Sequence, residues 1–219
     1  MEMNISRLLP TVLALLLVAS PALAGPLPTD TNAIAGWQGS TLFSDSNGGF
    51  NLVVDIEYAV YAPGQFGSSA ALGLPADPSG GADFVYAYQA LNSLSLSTTN
   101  LINLSVGLTP GTIPNGSTNI GFVPGFGLNP NVDQFIPAGN PKTSARWTWA
   151  VPLLNPGINS TVVYFTSPYG PGLVLSSITG GHATLDSTAL PSPVPEPSTL
   201  LLAAIAAACL FGVKLSRNS

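Results

Sequence analysis

From Phe50 to Tyr61 the chain alternates: Phe50, Leu52, Val54, Ile56, Tyr58 and Val60 interleave with Asn51, Val53, Asp55, Glu57, Ala59 and Tyr61. Successive side chains of an extended strand point to opposite faces. This period of two therefore predicts a half-buried strand with the branched and aromatic residues inward and Asp55 and Glu57 in solvent. Comparable stretches predict strands at 36–43, 83–91, 101–108, 119–123, 144–151, 161–167, 172–179 and 182–185. Asn47-Gly48-Gly49, Pro63-Gly64, Ser79-Gly80-Gly81, Pro110-Gly111, Asn115-Gly116, Pro156-Gly157 and Gly180-Gly181 supply turn chemistry between them. About nine short strands, with no helical periodicity of about ten residues in this region, predict an all-β fold: two antiparallel sheets packed as a β-sandwich.

Within that pattern, 83–91 alternates poorly, because Phe84, Tyr86 and Tyr88 oppose Val85, Ala87 and Gln89. A strand with both faces buried belongs at the centre of a sheet. Trp147 and Trp149 share one face of their strand, opposite Arg146 and Thr148, and are expected to anchor the core. Between Gly107 and Pro141 the chain is rich in Gly, Pro and Asn. An irregular surface excursion is expected there, carrying at most one short strand near Phe122.

The two ends break the alternation. Met1 to Arg7 carry a positive charge, Leu8 to Val18 are almost wholly apolar, and Ala22-Leu23-Ala24 precedes Gly25 in a small-x-small pattern. That reads as a secretory signal peptide cleaved after Ala24. Its apolar core rises only about 16 Å at about 1.5 Å per residue, too little to span a bilayer. At the other end, 189–197 alternates Pro with Ser, Val and Glu and predicts an extended stalk. A membrane helix is expected over 198–213, followed by a cytoplasmic tail in which Lys214 and Arg217 fix the topology. The expected organisation is a signal peptide (1–24), a β-sandwich domain (25–188), a stalk (189–197), a membrane helix (198–213) and a basic tail (214–219).

The succession Val194-Pro195-Glu196-Pro197-Ser198, apolar run, Lys214 and Arg217 resembles the PEP-CTERM sorting signal of exported bacterial proteins. The resemblance implies export through the Sec machinery, arrest in the inner membrane by the C-terminal helix, and recognition by an exosortase. That integral-membrane, cysteine transpeptidase-like enzyme cuts near the motif and releases the domain or transfers it to the cell surface. Pro195 and Pro197 would hold Glu196 extended and unpaired, a recognition handle rather than a catalyst. The tail departs from the usual tight Arg cluster, offering two separated cations. The likeness covers Val194 to Arg217 and says nothing of the domain delivered.

Charge narrows that domain's role. Asp30, Asp45, Asp55, Glu57, Asp77, Asp83, Asp133 and Asp186 face only Lys142 and Arg146. An acidic surface without clustered cations excludes nucleic acid. The single cysteine, Cys209, lies in the C-terminal apolar run, so the domain has no thiol, disulfide or zinc cluster to draw on. His182 is the sole histidine and follows Gly180-Gly181 with no second catalytic group in view. Asp55 and Glu57 could form a carboxylate pair, but alternation places them on the solvent side. No catalytic residue and no cofactor are therefore assigned. Asp45 and Asn47, and Asp77 and Asp83, place oxygen ligands on turns as weak calcium candidates. Neither segment completes an EF-hand loop, and both read as Asx turns. The expected function is a non-catalytic surface or extracellular-matrix component deployed among extracellular polysaccharide. The alternative is a carbohydrate- or calcium-binding module whose aromatic platform would come from Tyr61, Phe66, Tyr86, Tyr164 or Tyr169.

Overall fold

The computed structural model describes residues 25–114, 117–183 and 185–195. The predicted signal peptide, membrane helix and basic tail lie outside the described residues. Among the described residues there are ten strands: β1 (Gln38–Asn47), β2 (Phe50–Tyr61), β3 (Phe84–Asn92), β4 (Leu101–Gly107), β5 (Ile120–Val123), β6 (Val132–Ile136), β7 (Ser144–Thr148), β8 (Val162–Ser167), β9 (Pro171–Gly180) and β10 (Leu185–Pro193). Helical structure among the described residues is confined to three short 3-10 turns.

The strands form two five-stranded sheets, one in the order β1-β2-β3-β8-β5 and the other β10-β9-β4-β7-β6. Every pairing is antiparallel. The all-β, two-sheet expectation is met, and 50–61 forms β2 over the predicted residues. As its poor alternation implied, β3 is the middle strand of the first sheet, and its residues after Phe84 are all buried.

Between the sheets lies an aromatic core. The ring of Phe165 stands 5.1 Å from Tyr86, 6.1 Å from Tyr88 and Phe135, and 6.3 Å from Trp147. Trp147 and Trp149 are fully buried, and their indole N–H groups donate to the carbonyls of Gly121 and Leu128, both at 3.1 Å. Each indole thus buries its apolar body without leaving a donor unpaired.

A second apolar cluster covers the opposite face of the first sheet. Leu27, Phe66 and Leu72, from segments outside the strands, pack on Ala59, Tyr61, Val85, Ala87, Val123 and Val162. This cover corrects the sequence expectation for Glu57, which is 2 % exposed rather than solvated. Alternation assigns a face to a side chain, but a loop folding across that face decides whether water reaches it.

Three further expectations are corrected. The stretch from Gly107 to Pro141 holds two strands: β5 around Phe122 and also β6, an edge strand in which Phe135 alone is buried. With one inward residue, β6 has too little alternation to read from sequence. In place of the strand expected from His182, Gly181–Ala183 form a 3-10 turn with His182 at φ 56°, and β10 starts only at Leu185. The stalk expected from Ala189 is sheet as far as Pro193, paired to Pro171. Pro191 and Pro193 fit because β10 is an edge strand, where a missing N–H breaks no second ladder.

Candidate functional site

The domain's exit is the first place where structure and sorting motif meet. Tyr88 donates its hydroxyl to the Pro191 carbonyl, Ser192 donates to the Gly107 carbonyl at 2.5 Å, and the Val194 N–H donates to Gly170 at 3.1 Å. Gly172 leaves room for Val194, since a β-carbon there would stand 2.7 Å from both Val194 methyls. Pro191, Ser192 and Pro193 are buried, Val194 is half-buried and Pro195 is exposed. The chain is gripped through Val194 and free at the next residue. Glu196, Pro197 and Ser198, with Lys214 and Arg217, lie outside the described residues.

The other predicted processing point also lands in a built environment. Of Ala22, Ala24 and Gly25, only Gly25 lies within the described residues. Its N–H donates to Glu57 Oε1 at 2.8 Å. Glu57 pairs across the sheet with Gln89, which is also 2 % exposed. The Gln89 amide is oriented by two bonds, its Nε2 donating to the carbonyls of Ser160 at 2.8 Å and Phe126 at 3.2 Å. Its Oε1 is thereby turned away from those carbonyls. Gln89 Oε1 and Glu57 Oε2 are both buried acceptors without a donor among the described residues. A β-carbon at residue 25 would stand 2.1 Å from the first and 2.3 Å from the second, so only glycine fits. Burial pushes the Glu57 carboxyl up, the Gly25 N–H pulls it partly back, and the Asp55 charge raises it further.

The remaining candidates are dispersed. Asp45 Oδ2 accepts the Leu185 N–H and Asp186 Oδ2 accepts the Ser44 N–H, both at 2.7 Å. These reciprocal bonds clasp the edge strand of one sheet to that of the other, in place of the Asx turn expected at Asp45. The Asn47 amide donates to the His182 carbonyl at 3.1 Å, and the exposed His182 ring stacks on Phe50 at 3.5 Å. Asp77 does form an Asx turn, its Oδ1 accepting the Ser79 N–H at 2.9 Å and hydroxyl at 2.7 Å. Asp83 Oδ2 accepts the Thr166 hydroxyl at 3.2 Å. No group of three or more His, Cys, Asp or Glu side chains suited to a metal occurs among the described residues.

The platform aromatics do not converge on a surface. Tyr61, Phe66 and Tyr86 are fully buried, Tyr164 is half-buried against the second cluster, and Tyr169 is exposed at the β8–β9 turn. Tyr61 donates to buried Asp30 at 2.7 Å, and Ser69 donates to the same carboxylate oxygen. Burial and then the adjoining Asp30 carboxylate push the Tyr61 hydroxyl up, keeping it a donor. The only two cations of the domain are occupied: Lys142 donates to the Ser117 carbonyl at 2.7 Å and lies 4.5 Å over the Phe135 ring, and Arg146 donates to Ser105 at 3.1 Å.

The strand that ends at Pro193 hands over directly to a recognised sequence, for residues 193–217 match the family described as the PEP-CTERM protein-sorting motif. This chain carries a PEP-CTERM sorting signal. The match begins on the last paired residue of β10 and runs past the final described residue. A PEP-CTERM signal marks an exported, membrane-passing precursor sorted through its C-terminal region, and implies processing by exosortase, a membrane enzyme. No curated protein and no solved structure matches the chain.

Sequence reasoning missed Gln89 and the buried state of Glu57. The signal was present in part: Glu57 and Gln89 sit in strands whose other faces are strongly apolar, and Gly25 stands at a cleavage pattern. What no local pattern carries is the fold of the Leu27 segment across the sheet.

Proposed function

We propose that the protein is a non-catalytic cell-surface or extracellular-matrix component, exported through the Sec pathway, freed of its signal peptide after Ala24, held in the inner membrane by 198–213, and processed at Pro195-Glu196-Pro197. The observation that carries the proposal is the position of the sorting motif. It starts where β10 ends, so the sandwich is delivered as a finished unit with its cleavage point next to the last paired residue. Glu196 serves as the recognised carboxylate and Lys214 and Arg217 as the cytoplasmic anchor.

The inward packing of Tyr61, Phe66 and Tyr86 favours this role over a carbohydrate-binding module, because side chains that fill a core cannot also form a sugar platform. Asp45 and Asp77 spend carboxylate oxygens on backbone donors, which argues in the same direction against calcium capture. Extracellular polysaccharide is the proposed setting.

Glu196→Ala in the full chain is expected to leave the unprocessed form in the membrane fraction, read by size on a blot against an internal tag. Processing at the wild-type level would remove Glu196 from recognition. Glycan-array binding by the processed protein, with and without calcium, separates the two functional readings; strong calcium-dependent binding would favour the module.

A further inference from the structure

We infer that signal-peptide removal supplies a structural counter-ion: the new α-ammonium group of Gly25 docks on Glu57 and Gln89 and completes the fold. The inference rests on the proposed cleavage after Ala24. Hydrolysis of the Ala24–Gly25 amide by a signal peptidase consumes one water. It leaves a carboxylate on Ala24 and an amine on Gly25, which is protonated at neutral pH.

Before cleavage, the Gly25 nitrogen is an amide with a single hydrogen, and that hydrogen is committed to Glu57 Oε1 at 2.8 Å. Two buried acceptors beside it, Glu57 Oε2 and Gln89 Oε1, have no donor among the described residues. Both point at residue 25 closely enough that a β-carbon there would collide with them. Gln89 cannot turn its amide to help, because its Nε2 is held by Ser160 and Phe126. Nor can a side-chain cation serve: Lys142 is engaged with Ser117 and Phe135, and Arg146 with Ser105. The charge near the site is negative, from half-buried Asp55 on the same face of β2.

An ammonium at Gly25 resolves each of these conflicts at once. It brings two further N–H donors to the place where two acceptors lack them, and a positive charge to a buried carboxylate that has no other cation. Glycine is required at residue 25 because no side chain fits between Glu57 and Gln89. Coupling export to folding follows directly. The sandwich reaches full stability only after the leader is gone, outside the cytoplasm.

The test uses the full chain, exported in a bacterial host and extracted in detergent. Processed wild type is compared with Ala24→Leu, whose large residue at the cleavage site retains the leader. N-terminal sequencing first establishes where the mature chain starts. A start other than Gly25 overturns the cleavage reading and the inference with it. With Gly25 first, pulse proteolysis in urea is expected to show an open population at least about tenfold smaller in the processed form, and Glu57→Gln should erase the difference. Equal susceptibility of the two forms would overturn the inference alone, leaving Glu57 as a neutral acid that donates its own proton to Gln89. A second measurement does not depend on the retained-leader form folding. Acylation at neutral pH should spare the Gly25 α-amine in native processed protein and label it in urea or in Glu57→Gln. Full labelling in the native wild type would overturn the docking.

Discussion

The two sheets share one core but face the outside differently. The outer face of the first sheet is roofed by Leu27, Phe66 and Leu72, so Ala59, Tyr61, Val85 and Ala87 are buried away from the central core. The outer face of the second sheet presents Asn103, Ser105, Arg146 and Thr148, with Leu173 and Leu175 about two-thirds exposed. One sheet is therefore an interior layer and the other a wall. The roofed face gathers buried polar groups that demand partners, Asp30 with Tyr61 and Ser69, and Glu57 with Gln89 and Gly25. The bare face can leave the same kinds of group to water.

The sharpest way to break this comparison is to place a charge on each face. Ala87→Asp puts a carboxylate against the roof, where it has no cation and no water; a loss of about 3–5 kcal/mol or more is expected, enough to abolish a folded product. Ser105→Asp puts the same group on the open face beside Arg146, and a change within about 0.5 kcal/mol is expected. Urea midpoints of the exported chain read both, and equal costs would dissolve the distinction between the sheets.

A smaller effect is expected inside the roof. Tyr61→Phe keeps the ring and its edge contact with Phe66 at 5.2 Å but removes the hydroxyl that donates to Asp30. The buried carboxylate keeps Ser69 and the Asn32 N–H as donors, so the expected loss is about 1–3 kcal/mol rather than an unfolded chain. A neutral result would mean that water reaches Asp30 beneath the roof.

The contrast between faces also explains what could be read in advance. In the second sheet, alternation placed Trp147 and Trp149 in the core and Arg146 and Thr148 on the opposite face, as found. The inner face of β2 was legible through Leu52, Val54, Ile56 and Val60, whereas Phe50, expected on the same face, is exposed at the strand's start. The outer face of β2 was not, since the cover comes from Leu27, more than twenty residues upstream, and from Phe66, beyond the strand. Strand β6 offered a single inward residue, and the prolines of β10 resemble a stalk until an edge position is known. For the site, the C-terminal sorting motif was local and could be read, while the Gly25, Glu57 and Gln89 cluster depends on cross-strand register and on a loop crossing the sheet.

The pH response separates the faces further. Burial raises the carboxyls of Glu57 and Asp55 on the roofed side, the second partly offset by its bond from Ser40. A raised folded-state value means that the native chain holds its proton to higher pH than the unfolded chain. Stability then falls as pH rises from the unfolded value, about 4.3 for a free Glu, through the folded one. In the leader-retaining form a loss of stability is expected as pH rises above about 4. Glu57→Gln should flatten most of it, and the processed form should show a shallower fall because the Gly25 ammonium favours the anion. Titration of urea midpoints would reveal the slope, and an identical profile in Glu57→Gln would assign the response to other carboxylates.

The smallest expected effect tests the bare wall itself. Leu175 lies on β9 opposite Ala189, exposed on the outer face of the second sheet. Its side chain is already about two-thirds exposed in the folded chain, so truncating it and adding a hydroxyl removes little burial. Leu175→Ser should therefore move stability by no more than about 0.5 kcal/mol. The same replacement at Leu72 under the roof, 2 % exposed, is expected to cost several times more, about 2–5 kcal/mol. A loss above about 1 kcal/mol at Leu175 would show that this face, too, is covered in the assembled protein, and its two apolar residues would then belong to a contact rather than to an open wall.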